Sequence, residues 1–319
     1  MALTARDLAP ADAAALAGLM RRIDADHPTG FCLGEPEARE LMSGAESRFE
    51  GAFDGEHLVA FTAVMPGSPQ STGQRFILFG DVDPARLREG IGTLMLSRAL
   101  EAARAVHRQV APDLSATYAA TALAGRADQA GLLTSAGFVP TGHSVMMVAD
   151  LARPVAVPEA PRGLVASSFD PAAADELRLA HNTAFGDHPG RTPMGPDFWE
   201  LFMVRAAHNR HHLAAVARDE AGRVAGYVFA HEYTVPQSGG PGPELHVPYV
   251  GTLPHHRRRG VATWLLTRVL GLAREAGYAT ASLSVDTANP TGALGVYERA
   301  GFRQLYQQDS YELVEPPLP

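Results

Sequence analysis

The sequence predicts an α/β protein made of two tandem copies of one unit. Three observations carry that expectation. Strand-like and helix-like runs alternate along the 319 residues. A proline- and alanine-rich stretch with little periodicity, Ala149–Gly163, interrupts them near the middle and reads as a linker. The same order of signals then stands on both sides of it. The expected division is residues 1–150, a linker at 151–162, and residues 163–319.

In the first half, "HLVAFTAVM" and "RFILFGDVD" are rich in β-branched and aromatic residues and read as strands. Gly90–Ala105 carries the spacing of a helix, "SATYAATAL" reads as a strand, and a short helix ends in "SAGF". In the second half a helix is expected at Pro171–Phe185, followed by strands at Leu213–Arg218 and Val224–Tyr233 around the turn "DEAG". "ELHVPYVGT" is a strand running toward Pro254, with Pro248 interrupting it. Gly260–Glu275 is a helix, "YATASLSVD" a strand, and a short helix and last strand close the half. Pro84 precedes Gly90 by six residues, as Pro254 precedes Gly260. Gly137–Phe138 answers to Gly301–Phe302. The offsets are 170 residues from Gly90 to Gly260 and 164 from Gly137 to Gly301, so a duplication with a six-residue length change explains both.

Composition bounds the function. The chain is 46% hydrophobic and 19% charged, which suits a globular protein of two domains. A formal charge of -8 argues against nucleic acid as the main partner. Cys32 is the single cysteine, so no internal disulfide forms. The apolar stretch around Ala13–Met20 is too short to span a bilayer. A cytoplasmic protein with no membrane partner is expected.

Two stretches carry chemistry. "PHHRRRGVATWLL" joins a strand to a helix, with Arg257, Arg258, Arg259, Gly260, Val261 and Ala262 at the junction. The first turn of a helix holds backbone N–H groups without internal partners, and the helix dipole adds positive potential there. Gly260 and Ala262 let a ligand approach the backbone, and arginine forks suit phosphate oxygens. The stretch is built for a pyrophosphate; taken alone, it reads equally well as a solvated charge run. The second stretch is "NPTGALGVYERAGF", Asn289–Phe302. Asn289 suits a helix N-cap, Pro290 the first helical position, and Gly301 the stop, which leaves Tyr297 on a helix of about eleven residues.

Together these stretches resemble the GNAT superfamily of acetyl-CoA-dependent N-acetyltransferases. Arg257, Gly260 and Ala262 match its Q/R-x-x-G-x-G/A phosphate motif, and Asn289, Tyr297 and Gly301–Phe302 match its N…Y…GF pattern. The resemblance covers roughly residues 163–314, and residues 3–150 match more weakly, in an arrangement similar to that of mycothiol synthases. It implies two tandem GNAT folds, each a mixed, mostly antiparallel twisted sheet flanked by helices. It also implies direct transfer from acetyl-CoA to an amine; a small-molecule acceptor, no metal, and a monomer or homodimer are expected. A non-catalytic acyl-CoA sensor, another acyl-CoA donor or a hydroxyl acceptor are the alternatives.

The resemblance assigns roles. The thioester carbonyl should meet backbone N–H groups near Val250, with Thr252 continuing along the pantetheine arm. Arg257–Ala262 and Asn289 belong to the cofactor side, and Tyr297 is the acid for the departing thiolate. The base is expected on "ELHVPYVGT": His246, eleven residues before Arg257, leads, with Glu244, Glu232 and Tyr249 as rivals. The first half has Leu87, Gly125 and Leu133 where the second has Arg257, Asn289 and Tyr297, so it reads as a degenerate copy. His208, His211 and His212 crowd "AAHNRHH" and read as a surface loop rather than a zinc site. His255 and His256 read as exposed turn residues. Phe185, Trp199 and Phe202 read equally as an acceptor wall or as core.

Overall fold

The computed structural model describes residues 3–44, 47–187, 193–287 and 292–317. The chain forms two compact units: residues 1–144 with 306–319, and residues 145–305. The expected boundaries at 150/151 and 162/163 fall inside unit 2.

Unit 1 opens with β1 (Thr4–Asp7), α1 (Ala13–Asp26) and α2 (Glu35–Ser43). There follow β2 (Arg48–Asp54), β3 (His57–Pro66), β4 (Gln74–Val82), α3 (Ile91–Val110), β5 (Ala116–Leu123), α4 (Ala127–Ser135) and β6 (Val139–Asp150), of which residues 139–144 lie in this unit. β1 to β4 pair antiparallel in chain order, while β4 and β5 pair parallel from Gln74↔Ala116 to Ile77↔Ala119. Beyond Ile77 the two strands part. α3 lays Ala99, Leu100 and Ala103 over a core with Phe76, Leu78 and Tyr118, at the i, i+3, i+4 spacing of an amphipathic helix.

Unit 2 holds residues 145–150 of β6, then β7 (Leu164–Ser167), α5 (Ala174–Ala184), α6 (Pro196–Trp199), β8 (Ala215–Asp219), β9 (Val224–Val228), β10 (Glu244–His246) and β11 (Val250–Thr252). It continues with α7 (Val261–Glu275), β12 (Thr280–Asp286), α8 (Ala293–Arg299) and the start of β13 (Phe302–Glu315). From Tyr306 on, β13 belongs to unit 1, where Gln308–Glu315 pairs antiparallel with β5. α6 runs on as a π-helical turn over Glu200–Arg205. α8 spans seven residues, shorter than expected, and Gly301 stops it with φ at 95°. Asn289 and Pro290 lie outside the described residues.

The strand "ELHVPYVGT" is the hinge of unit 2. Its first part, β10, pairs parallel with β12, and its second part, β11, pairs antiparallel with β9. The mixed, mostly antiparallel sheets flanked by helices match the expected fold class, and the parallel pairs β4–β5 and β10–β12 occupy equivalent places in the two units. α7 buries Val261, Trp264, Leu265, Val269, Leu270 and Ala273 over this region.

Close packing makes Gly251 a sensitive position: a β-carbon there would lie 2.3 Å from Cζ of Tyr227. Gly251→Ala should therefore destabilise unit 2 by about 1–3 kcal/mol, because β11 or the ring must shift. Gly271, inside α7, is the control, since its added carbon meets nothing closer than Val157 at 3.9 Å. Gly271→Ala should stabilise by about 0.5–1 kcal/mol through helix propensity. Urea midpoints of the two variants against wild type test both signs.

Candidate functional site

Past Val247 the chain turns from one partner strand to another. Val247 N–H still donates to Ser282 O of β12 at 2.8 Å. Phe229 N–H then donates to Tyr249 O at 3.0 Å, and Leu253 N–H to Ala225 O at 3.0 Å. Residues 249, 251 and 253 thus face β9. By strand alternation the amides of Val250 and Thr252 point to the opposite, open edge. The Thr252 hydroxyl is buried with no hydrogen-bond partner among the described residues. A buried orphan oxygen beside open strand amides suits a polar, extended ligand.

At the end of this strand stands the start of α7. Gly260 is left-handed at φ 82°, with open space where a β-carbon would be. Trp264 N–H donates to Gly260 O at 3.0 Å, so the amides of Val261, Ala262 and Thr263 precede the first helical hydrogen bond and are free to bind an anion. The three arginines separate into distinct roles. Arg257 is a strut: it donates to Asp187 Oδ2 at 2.9 Å, Ala184 O at 3.1 Å and Thr252 O at 3.3 Å. Arg259 lies 3.0 Å from His256 Nδ1 and donates to Arg162 O at 3.1 Å. Arg258 is exposed, sits in the left-handed region at φ 60°, and makes no hydrogen bond or ion pair among the described residues. The fork that the sequence places on Arg257 is therefore available from Arg258.

Tyr297 lies on α8, 9% exposed, with its ring 6.2 Å from that of Phe302. Burial pushes its phenol up to about 12. His246 pairs backbone to backbone with His231, each N–H donating to the other's carbonyl at 2.8 Å. Burial, with His208 nearby, lowers the His246 imidazole to about 4, so it is neutral at pH 7. His231 is also buried and lowered well below the usual imidazole range. The rivals for the base are otherwise engaged. Glu232 pairs with Arg210 at 2.7 Å and accepts from Tyr278 at 2.6 Å. Glu244 accepts from Gln237 N–H and from both hydroxyl and amide of Ser238. Tyr249 packs its ring against His181 at 4.7 Å and Phe185 at 5.7 Å.

His208 departs from the sequence reading: it is buried, with its ring 4.5 Å from His231 and 4.8 Å from Tyr233. Burial wins there because the imidazole packs edge and face against aromatic neighbours. His211 packs on Phe169 at 4.6 Å. His255 is exposed and His256 partly buried. Trp199 is core at 2% exposure, whereas Phe185 and Phe202 are partly buried against it. Among the described residues no group of three or more His, Cys, Asp or Glu could hold a metal ion.

Unit 1 repeats the cradle with other side chains. Arg88 and Gly90 are left-handed at φ 68° and 79°, as Arg258 and Gly260 are. Leu87 has φ −66° and ψ 153°, against −63° and 155° at Arg257. An open cleft of about 630 Å³ adjoins it, lined by Arg88, Gly90, Ile91, Gly92, Thr93 and Arg126 among others. A cavity of about 150 Å³ fills the parting of β4 and β5. Its polar side holds His27, whose Nε2 lies 2.9 Å from Asp81, and Gln129, which donates to Asp81 at 3.0 Å. The Asp81 contact raises the His27 imidazole. Leu133, at the place of Tyr297, is buried core.

Residues 174–302 match the acetyltransferase (GNAT) family. Mycothiol acetyltransferase of Thermobispora bispora is 29% identical over 300 residues, 92% of this chain and 90% of that protein. That of Clavibacter sepedonicus is 30% identical over 223 residues, 70% of this chain and 67% of that protein. A GCN5-related N-acetyltransferase from Sphaerobacter thermophilus superposes with a TM-score of 0.76 at 23% identity, covering 99% of this chain and 97% of that one. A tandem GNAT protein from the clavulanic acid biosynthesis pathway also superposes at 0.76, with 19% identity and full coverage of both chains. The chain belongs to the GNAT family of acetyltransferases, to which its mycothiol acetyltransferase relatives link it, and it shares the fold of the tandem GNAT structure over its whole length.

Proposed function

We propose that the chain transfers an acetyl group from acetyl-CoA directly to a primary amine of a small molecule, with unit 2 as the catalyst. One observation carries the choice of unit: unit 2 combines a helix-start cradle, an open strand edge at Val250 and Thr252, and Tyr297, whereas unit 1 has Leu133 in the tyrosine's place. The donor supplies an activated carbonyl and a thiolate leaving group. The amides of Val261–Thr263 and the Arg258 fork suit its diphosphate, and Asn289 belongs to the same side by the family pattern. Val250 N–H, on the open strand edge, would donate to the carbonyl oxygen as negative charge develops. Thr252 offers its amide and buried hydroxyl to the pantetheine amides.

Magnitudes sort the proton traffic. A lysine-like ammonium holds its proton about six pKa units more tightly than His246 does, a gap of about 9 kcal/mol. His246 therefore suits the proton released as the new C–N bond forms, after the amine has shed its first proton to solvent. Tyr297, at about 12, stands above a thiol by roughly 3.5 units, or about 5 kcal/mol. Its part is a hydrogen bond to the departing sulfur rather than complete proton transfer. A second reading concerns unit 1. Its matching cradle and its cleft of about 630 Å³ favour a retained coenzyme A site without chemistry.

Tyr297→Phe should lower kcat by about 10²-fold or more while leaving acetyl-CoA binding intact, since the ring stays and only the hydroxyl goes. Wild-type kcat in that variant would remove the phenol from the mechanism. For His246, a value of about 4 means the base form is present throughout pH 5–8. The pH profile of kcat/KM should thus climb toward the pKa of the amine with no inflection near 6.5. A limb at 6.5 that vanishes in His246→Gln would contradict this. Calorimetry with coenzyme A separates the units: wild type should show two sites, and Ala262→Glu and Gly92→Glu one each, with turnover lost only in Ala262→Glu. A single site abolished by Ala262→Glu leaves unit 1 as scaffold.

A further inference from the structure

We infer that Glu244 and Ser282 fix the tautomer of His246, leaving Nε2 as the nitrogen that takes a proton from the acceptor amine; this rests on the reading of His246 as the base. Glu244 and His246 are two residues apart on β10 and so share one face. Ser282 is the register partner of His246 on the parallel strand β12, which puts it on that face too. His246 Nδ1 lies 3.0 Å from Ser282 Oγ, and Ser282 Oγ donates to Glu244 Oε1 at 2.7 Å.

The direction of each hydrogen bond follows from counting protons. Glu244 receives Gln237 N–H at 2.8 Å and Ser238 N–H at 3.2 Å on the same oxygen as Ser282, and the Ser238 hydroxyl on the other. A carboxyl that meets only N–H and O–H donors acts as the acceptor. The Ser282 hydroxyl has one proton and gives it to Glu244. Its oxygen must then accept from His246, so the imidazole hydrogen sits on Nδ1. The opposite tautomer would set two lone pairs face to face. Ser282 is 0% exposed and Glu244 4%, so water cannot repair that mismatch. The mutual 2.8 Å backbone bonds with His231 hold the main chain of His246 while this happens.

The step balances. As the amine nitrogen bonds to the acetyl carbon, one N–H bond breaks and its proton moves to Nε2. The C–S bond breaks with its electron pair leaving on sulfur. The imidazolium then keeps Nδ1–H on Ser282, whose own proton faces the Glu244 carboxylate, and so part of the positive charge is answered through one hydroxyl. Nε2 returns its proton to solvent and the thiolate takes one up. Glu244 and Ser282 act through His246 and are positioning residues.

The experiment is long-range 15N–1H NMR of the histidine rings in the full chain, joined to kinetics. Wild type should show His246 with hydrogen on Nδ1; a majority of the Nε2–H form overturns the inference. Ser282→Ala should populate the Nε2–H form and lower kcat by about 10- to 100-fold. Its KM for acetyl-CoA should stay within about twofold, because ground-state binding is untouched. Ser282→Thr keeps the hydroxyl and should restore the tautomer and most of the rate. An unchanged kcat in Ser282→Ala overturns the inference. His246→Gln separates the two readings. An unchanged kcat there removes His246 as the base, whereas a lost kcat beside a fully active Ser282→Ala enzyme overturns only the positioning by Glu244 and Ser282.

Discussion

A single strand with two partners organises unit 2. The antiparallel partner runs on both sides of Pro248, from His246 opposite His231 to Val250 opposite Val228, so one extra residue bulges between them, and the ladder to β12 ends at Val247. Beyond the bulge β11 stays on β9, where Gly251 lies against the ring of Tyr227. The parting from β12 leaves the amides of Val250 and Thr252 on an open edge. Backbone N–H groups are costly to leave unsatisfied in a buried place, so such an edge persists where a ligand or water completes it. The same strand delivers His246 at one end and leads into the α7 cradle at the other. The groups that the proposed reaction calls on thus lie within His246–Thr263, eighteen consecutive residues.

The cradle shows that backbone shape and side-chain chemistry are separable. The two loops agree within a few degrees at Leu87 and Arg257, and within 8° in φ at Arg88 and Arg258. They share few side chains. Glycine at the left-handed helix start meets the conformational demand in both, at Gly90 and Gly260. Arginine at the other left-handed position is strained in both, a cost of order 1–2 kcal/mol for a residue with a β-carbon. Retention of that strained arginine, where a glycine would relieve it, fits a guanidinium held out for an anion. The phenol is what unit 1 lacks. Its wedge is instead lined by hydrocarbon and by the His27–Asp81–Gln129 cluster.

Much of this was legible in the sequence, and the reasons differ from residue to residue. The helices starting at Val261 and Ala174 and the strand containing Ser282 follow from local periodicity and stop signals, which act over a few residues. The stop at Gly301 follows from the same local logic, whereas Gly260 reads in the sequence only as room for a ligand, and its left-handed turn emerges from the fold. Arg257 illustrates the limit. Its motif position points to phosphate, yet its partners, Asp187 and Ala184, lie some seventy residues earlier, and no spacing rule reaches them. His208 reads as a loop residue because its neighbours in sequence are polar, while its neighbours in space are His231 and Tyr233. Ser282 carries no signal of its own. Its meaning comes from register with His246, and parallel register is set by tertiary packing. The handover of the last strand to unit 1 is equally invisible, since an alternating run does not name its partner.

The charge state of the His246 edge follows from competition for two carboxylates. Glu232 is committed to Arg210 and Tyr278, and Glu244 to a set of four donors from Gln237, Ser238 and Ser282. Both oxygens of Glu244 are taken, and although both bonds to Glu232 fall on Oε2, its charge is already answered by Arg210 at 2.7 Å. What remains are imidazoles that burial keeps neutral, His231 and His246 foremost. A neutral, weakly basic edge cannot hold a cation at rest, but it can accept a proton from a nitrogen that is becoming acidic as it forms a bond. In the proposed reaction such an edge would discriminate between two moments: it would leave the resting ammonium to solvent and engage the amine as the acetyl group is transferred. A free carboxylate there would bind the charged, unreactive form and deepen the ground state that the reaction has to leave.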